Sequence, residues 1–255
     1  ADAQASSVPE SVSVHQPIVK EAKNYIVLIG DGMGVYQTRM FEYMDNNVEY
    51  GDSEDVFYGY MLPYQGLSKT NSLSGTTDSA AGATALACGY KTFNGYVGRN
   101  GQLQDVKNLT ELAHEIGKSA AVMSTETQTG ATPASFVVHV DSRNMSSAII
   151  NLMLDATINN GTVIECGFDY YNTRYMGVIE GKVEKVLDQV SNNDKGFFLM
   201  YEEAHIDKHC HNNDLAMTFR AVVRFNQVIA ICMEYAFYHP ETAVIITADH
   251  ETGAL

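Results

Sequence analysis

Six short runs suited to buried strands alternate with longer amphipathic segments along this chain, and that alternation constrains its fold more than any other feature. The runs are YIVLI (Tyr25–Ile29), GLSKT (Gly66–Thr70), SAAVMS (Ser119–Ser124), TVIEC (Thr162–Cys166), FFLMY (Phe197–Tyr201) and TAVIIT (Thr242–Thr247). Between them, apolar periodicity and end signals predict helices over Ala80–Cys88, Val106–Ile116, Ser146–Leu154, Val183–Val190 and about Asp214–Tyr235, the last capped by Asn213 or Asp214. Strands alternating with helices predict an α/β fold: a three-layer sandwich with a mostly parallel central sheet covered by helices on both faces. A chain of 255 residues that is 45% hydrophobic suits one large domain over residues 1–255, with 1–24 as an extended or poorly ordered arm. Loops are expected at Asn46–Asp55, Asn94–Gln104 and Ser191–Gly196, where Gly, Asn and Asp concentrate.

Open parallel sheets bind ligands beyond the carboxyl ends of their strands. Here YIVLIG runs into Asp31, SAAVMS leads to Thr132, FFLMY runs into Glu202 and Glu203, and TAVIIT runs into Asp249 and His250. One acidic residue after a strand is ordinary loop chemistry, but four strand ends delivering oxygen or imidazole ligands to one edge make a site. The segment EEAHIDKHCHNND adds His205, Asp207, His209, Cys210 and His211. On a helix, Asp207 and His211 stand four residues apart on one face and can converge on one ion, as can His205 with His209. A polar loop of solvated histidines is the competing reading of that segment, and an Asp-His pair after a strand is often structural when it stands alone. Ser79 precedes the Ala-rich run of GTTDSAAGATALACG, at or near a helix start. Two readings stay open there: Asp78 or Ser79 is merely the N-cap, or the positive end of the helix favours an alkoxide at Ser79 and an anionic substrate beside it. No G-x-S-x-G elbow is present, which speaks against a Ser-His-Asp hydrolase.

An excess of 31 acidic over 16 basic residues argues against a nucleic-acid or anionic-membrane surface. Cys88, Cys166, Cys210 and Cys232 form no C-x-x-C pair and so fix neither a zinc knuckle nor a redox motif. No apolar run is expected to approach the roughly 18 residues that span a bilayer, and ADAQASSVPESV has no signal-peptide core, so a soluble chain is expected with any export signal already removed or never present.

Taken in order, DGMG at Asp31–Gly34, TDSAAGATA with KTFNG across residues 77–95, ATPASFVVHVDSR at 131–143, EEAHIDKHCH at 202–211 and TADHETGAL at 247–255 resemble the motifs of the alkaline phosphatase family. The resemblance runs from about Tyr25 to the last residue. It implies hydrolysis of small phosphate monoesters through a phosphoserine, on a site of two zinc ions and one magnesium ion. Ser79 matches the nucleophile and Arg143 the phosphate clamp. Asp31 matches the carboxylate shared by the second zinc and the magnesium, and Asp249 with His250 completes that zinc. Asp207 and His211 match ligands of the first zinc, and Thr132 with Glu202 the remaining magnesium ligands. By resemblance the protein is expected to be periplasmic or extracellular; a homodimer is an open alternative.

The residue types suit that chemistry. A serine hydroxyl with no histidine base expected beside it becomes a nucleophile by coordination to a divalent ion. Zinc suits mixed imidazole and carboxylate ligands, and arginine grips two phosphate oxygens as a planar fork. Departures from the family lie at Gly130, where relatives commonly carry Asp or His near the magnesium, and at Glu203, where Gly is more usual. Magnesium is therefore expected to be held more weakly or hydrated differently. Lys208 stands where some relatives have lysine and others a different residue; two readings stay open there, a contact to phosphate through water or simply an exposed lysine. The family also carries a further zinc-ligand histidine beyond the last motif, so the chain is expected to be C-terminally incomplete and to hold the second zinc better than the first, with low turnover. A phosphodiesterase or sulfatase of the same superfamily, and a catalytically impaired remnant that still binds metal or phosphate, are the alternatives.

Overall fold

Every residue of the first strand except Tyr25 is buried in the computed structural model, which describes residues 22–40, 57–167 and 176–253. Burial on both faces is what a near-continuous apolar run such as NYIVLIG demands, and a parallel sheet sandwiched by helices supplies it. Five strands form that sheet: β1 (Asn24–Gly30), β2 (Ser119–Ser124), β3 (Val163–Cys166), β4 (Phe197–Glu203) and β5 (Thr242–Thr247), in the spatial order β3-β2-β4-β1-β5. All pairings are parallel, so every strand ends at the same edge. Register fixes the level of those ends: Ile29 lies opposite both Glu202 and Thr247, and Ser124 opposite Glu202.

Eight helices accompany the strands among the described residues: α1 (Val35–Thr38), α2 (Ser79–Cys88), α3 (Leu109–Glu115), α4 (Ala131–Ser135), α5 (Ser146–Asn160), α6 (Met176–Ser191), α7 (His205–His211) and α8 (Leu215–Tyr238). Alternate strand residues point to opposite faces. Ile26, Leu28, Met123, Leu199 and Tyr201 pack with Val183 and Leu187 of α6 and Phe219, Val222 and Phe225 of α8. Val27, Ile29, Val122, Phe198 and Met200 pack with Ala87 of α2, Ala113 of α3 and Phe136. Helix α5 lies further out, where Ile149 and Met153 join Ala80, Ala131 and Ala134. These are the three expected layers. Each fully buried side chain of this size contributes about 1.5–3 kcal/mol by leaving water.

End signals acted where the sequence put them. Asp78 caps α2 through its side chain, Asn108 and Glu111 form a capping box on α3, and Asp214 caps α8 by accepting from the Met217 N–H at 3.0 Å. One expected strand did not form. Residues 66–70 have no regular secondary structure and pair with no strand among the described residues, and Leu67, the single large apolar side chain of GLSKT, is 92% exposed. Without a buried face the run gains nothing from a sheet, and it instead forms one wall of a cavity of about 630 Å³ against Ile246, Ala248 and His250. The expected loop at Asn46–Asp55 and residues 1–21 of the expected arm lie outside the described residues. Helix α8 is long and apolar enough, by length and composition, to cross a membrane. No run of that length and apolarity was expected, so that expectation is corrected; the buried face of the helix packs on the sheet.

Candidate active site

Helix α2 approaches the end of β5 so closely that a Cβ on Gly82 would lie 2.8 Å from the Asp249 carbonyl oxygen. Ser79 is three residues earlier on the same face, so the contact that requires glycine at 82 also brings the Ser79 hydroxyl to the strand ends. Its Oγ lies 3.5 Å from Asp31 Oδ1 and 3.2 Å from His250 Nε2. That nitrogen in turn lies 3.6 Å from Asp31 Oδ1 and 3.4 Å from Asp249 Oδ2. The Thr252 hydroxyl, 3.2 Å from Nδ1, fixes the ring from behind. Asp249 is oriented by the N–H groups of Gly32 (3.1 Å) and His250 (2.9 Å), both donating to Oδ1, while its buried Oδ2 has no hydrogen-bond partner.

These separations test the fit of a cation. Ligand atoms placed tetrahedrally at zinc distances of about 2.0–2.1 Å lie about 3.3 Å from one another. The contacts among Ser79, Asp31, His250 and Asp249 scatter around that value, and the ligand atoms of Asp31, Asp249 and His250 all lie within 4.8 Å of one another. The electrostatics agree. Burial pushes the Asp31 carboxyl well above its ordinary range, and the charges of Asp249, Glu202 and Asp207 push it further. Burial also raises Asp249, against the pull of His250 and the Gly32 N–H. Glu202 rises to about 7, chiefly through burial, although the Ser124 and Thr132 hydroxyls favour its charged form. Buried carboxylates this crowded lack positive charge, and divalent ions would supply it.

Around this centre the other candidates take their places. Asp78 caps α2 by accepting from the Ala81 N–H at 3.0 Å, and its second oxygen accepts from the Gly95 N–H at 3.0 Å and from Arg143 Nη1 at 3.1 Å. One carboxylate thus fixes the helix end under Ser79 and tethers Arg143, so Asp78 is the cap and Ser79 the first helical residue. Glu202 accepts a close hydrogen bond from Ser124. Thr132, in the short α4, is buried, and its hydroxyl favours charge on Glu202 without making a well-formed hydrogen bond. Asp207 and His211 face each other at 3.4 Å along α7, Asp207 buried and with Oδ1 unpartnered, the His211 side chain 68% exposed. His205 turns the other way, its Nδ1 3.0 Å from Thr125 Oγ1, and its ring lies 6.2 Å from that of His209.

Two features escaped the sequence. No histidine base was expected beside Ser79, only His250 as a ligand of the zinc that the resemblance sets next to it, yet His250 is within direct hydrogen-bond distance; β5 pairs directly with β1, which carries the ring across the strand end to a serine 171 positions away. The second is a buried network behind the site. Glu203 is gripped by Arg224 of α8, with Nε donating to Oε2 at 2.6 Å and a second close contact from the other nitrogen. Thr125 donates to the same carboxylate at 3.1 Å and the His205 N–H at 3.2 Å. Burial opposes charge on Glu203, but Arg224 outweighs it and holds the carboxyl down at about 2. A glutamate where glycine is usual was the available signal; its partner 21 residues on could be found only from the fold.

The family model described as alkaline phosphatase matches residues 22–163 and 173–255. Alkaline phosphatase 3 of Bacillus subtilis is 30% identical over 91% of this chain and 62% of its own length, and alkaline phosphatase 4 of the same organism is 29% identical over 96% and 64%. The chain therefore spans less than two thirds of these relatives. Among solved structures, the cold-active alkaline phosphatase of a psychrophilic Shewanella is 27% identical and superposes with a TM-score of 0.76 over 90% of this chain and 68% of that one.

Proposed function

The chain belongs to the alkaline phosphatase family, and from that premise we propose that it is a metal-dependent phosphomonoesterase in which Ser79 accepts the phosphoryl group and water then releases it as inorganic phosphate. The observation that carries this reading is the cluster of Ser79 Oγ, Asp31 Oδ1, His250 Nε2 and Asp249 Oδ2 at ligand-to-ligand spacing. Asp31, Asp249 and His250 would hold the second zinc, beside Ser79; Asp207 and His211 would hold the first zinc; Thr132 and Glu202, with Asp31, would hold magnesium. When bound, such cations supply Lewis acidity, lowering the pKa of coordinated oxygens and offsetting the buried carboxylate charge.

The chain's own groups do the rest. Ser79 attacks phosphorus, forming an O–P bond as the ester P–O bond breaks and the alcohol leaves; water later attacks the phosphoserine, breaking the Ser79 O–P bond. The start of α2, held by Asp78, presents unsatisfied N–H groups to the anion. Arg143, tethered by Asp78 and with a side chain 38% exposed, presents its guanidinium as a fork to two non-bridging oxygens. Ser79 is buried to 8% exposure, which limits competing water. A zinc beside Ser79 would draw on three protein ligands, the trio Asp31, Asp249 and His250, whereas the pair Asp207 and His211 offers two; His205 points toward Thr125 rather than to that pair. That asymmetry supports tighter binding at the zinc nearest Ser79. Acid quench during turnover of p-nitrophenyl phosphate, followed by peptide mass analysis, is expected to find phosphate on Ser79. Phosphate on another residue, or full activity in Ser79→Ala, would contradict the proposal, and faster turnover of the bis(p-nitrophenyl) ester would redirect it to a diesterase.

A further inference from the structure

We propose that Glu126 is a positioning residue at the Glu202–Thr132 end of the site, an outer carboxylate for the hydration shell of magnesium, supplied from the loop after β2 into the volume that a side chain at residue 130 would otherwise take. This rests on the function proposed above. The Glu126 backbone is pinned beside Glu202: its N–H donates to Ser124 Oγ at 2.9 Å, the same hydroxyl that donates to Glu202, and its carbonyl accepts from the Gly167 N–H at 2.6 Å. Its side chain then turns across Gly130. A Cβ built on Gly130 would overlap the Glu126 Cγ and come within 3.2 Å of its Cβ and 3.0 Å of the Thr127 carbonyl oxygen. Glycine at 130 is therefore the partner of glutamate at 126, and the two positions compete for one space.

The Thr127 N–H orients Glu126 Oε1 at 3.1 Å, and Lys208, next to Asp207 on α7, closes an ion pair on Oε2. Near by, Thr132 is 1% exposed, its hydroxyl favours charge on Glu202 without making a well-formed hydrogen bond, and the charge of Glu126 is felt at Glu202. A carboxylate held beside Glu202 by the shared Ser124 hydroxyl, and close enough for its charge to act there, suits an ion that keeps several of its waters, because those waters need acceptors. Lys208 would hold Glu126 in place when no ion is bound.

The overlap of Glu126 Cγ with a residue-130 Cβ yields an unusual test, since an aspartate at 130 would carry its carboxyl carbon one bond from nearly the same point. Magnesium binding to the zinc-loaded protein would be followed by calorimetric titration with MgCl2 for the parent, E126Q, E126A, E126A/G130D and E202Q. Loss of an outer carboxylate is expected to weaken magnesium about tenfold in E126Q and E126A, with E126A/G130D returning to within about threefold of the parent. Parent-like affinity in E126Q while E202Q loses the ion would overturn the role given to Glu126 and leave the site reading intact. A weakened E126A that the G130D exchange does not restore would overturn the shared-volume inference. No magnesium binding by the parent, or none lost in E202Q, would instead refute the proposed function from which the inference starts.

Discussion

Glu202 and Glu203 are neighbours on one strand, both buried, and they end in opposite electrostatic states. Glu203 points to the α8 face, where Arg224, Thr125 and the His205 N–H satisfy it, and its carboxyl is held down at about 2. Glu202 points to the other side, toward Asp31 and Asp249, where hydroxyls from Ser124 and Thr132 are its help, and its carboxyl rises to about 7. Strand alternation alone separates them. One side is completed by the protein's own cation; the other is a cluster of carboxylates that, under the proposed function, exogenous ions complete.

The most forceful way to break that comparison is to remove Arg224. Arg224→Met leaves Glu203 charged and buried without its cation, which should cost about 3–5 kcal/mol in denaturant unfolding, and Arg224→Met/Glu203→Leu should recover most of it. The folded pKa of Glu203, about 2, lies below its ordinary value of 4.5, so the stability it contributes is complete above pH 4.5 and lost as pH falls toward 2. Arg224→Met should erase that acid-side dependence. An unfolding free energy unchanged by the single substitution would show that Glu203 is not held by this pair.

Glu202 should behave in the opposite sense in ion-free protein. Its folded pKa is raised from 4.5 to about 7, so its protonated form stabilises the fold fully below pH 4.5 and that contribution disappears as pH rises through about 7. Glu202→Gln in chelator-treated protein should therefore raise stability at pH 8 by on the order of 3 kcal/mol relative to the parent, with little difference at pH 4.5. Equal stability of the two proteins at pH 8 would remove the contrast between the neighbouring glutamates.

Much of this was legible in the residues. SAAVMS and TAVIIT begin and end as strands where their apolar runs do: the first is buried between two neighbours, and the second, half-buried at the sheet edge, pairs along its whole length with the buried first strand. Asp78 and Asp214 signal their helices because capping is local physics. GLSKT misled because β-branched and small residues resemble a strand without a buried face, and Leu67 has nothing to pack on. Strand-end position alone marked Asp31, Glu202 and Asp249 as neighbours. What the residues could not disclose were contacts made by the fold: Arg224 reaching Glu203, Glu126 filling the space above Gly130, and a direct approach of His250 to Ser79, two residues that the resemblance had set only around one zinc. Glycine at 130 looked like a loss; in three dimensions it is room for another carboxylate.

The central claim, that the edge around Ser79 is built to be completed by divalent ions, is tested most directly by titrating zinc into ion-free protein at pH 7 in two buffers of different ionisation enthalpy. Asp31, Asp249 and Glu202 all have raised pKa values, so binding should release protons to the buffer, and Asp31→Asn should lose both the binding and the release. Zinc that fails to bind, or that binds with the same heat in both buffers and is unaffected by Asp31→Asn, would contradict it.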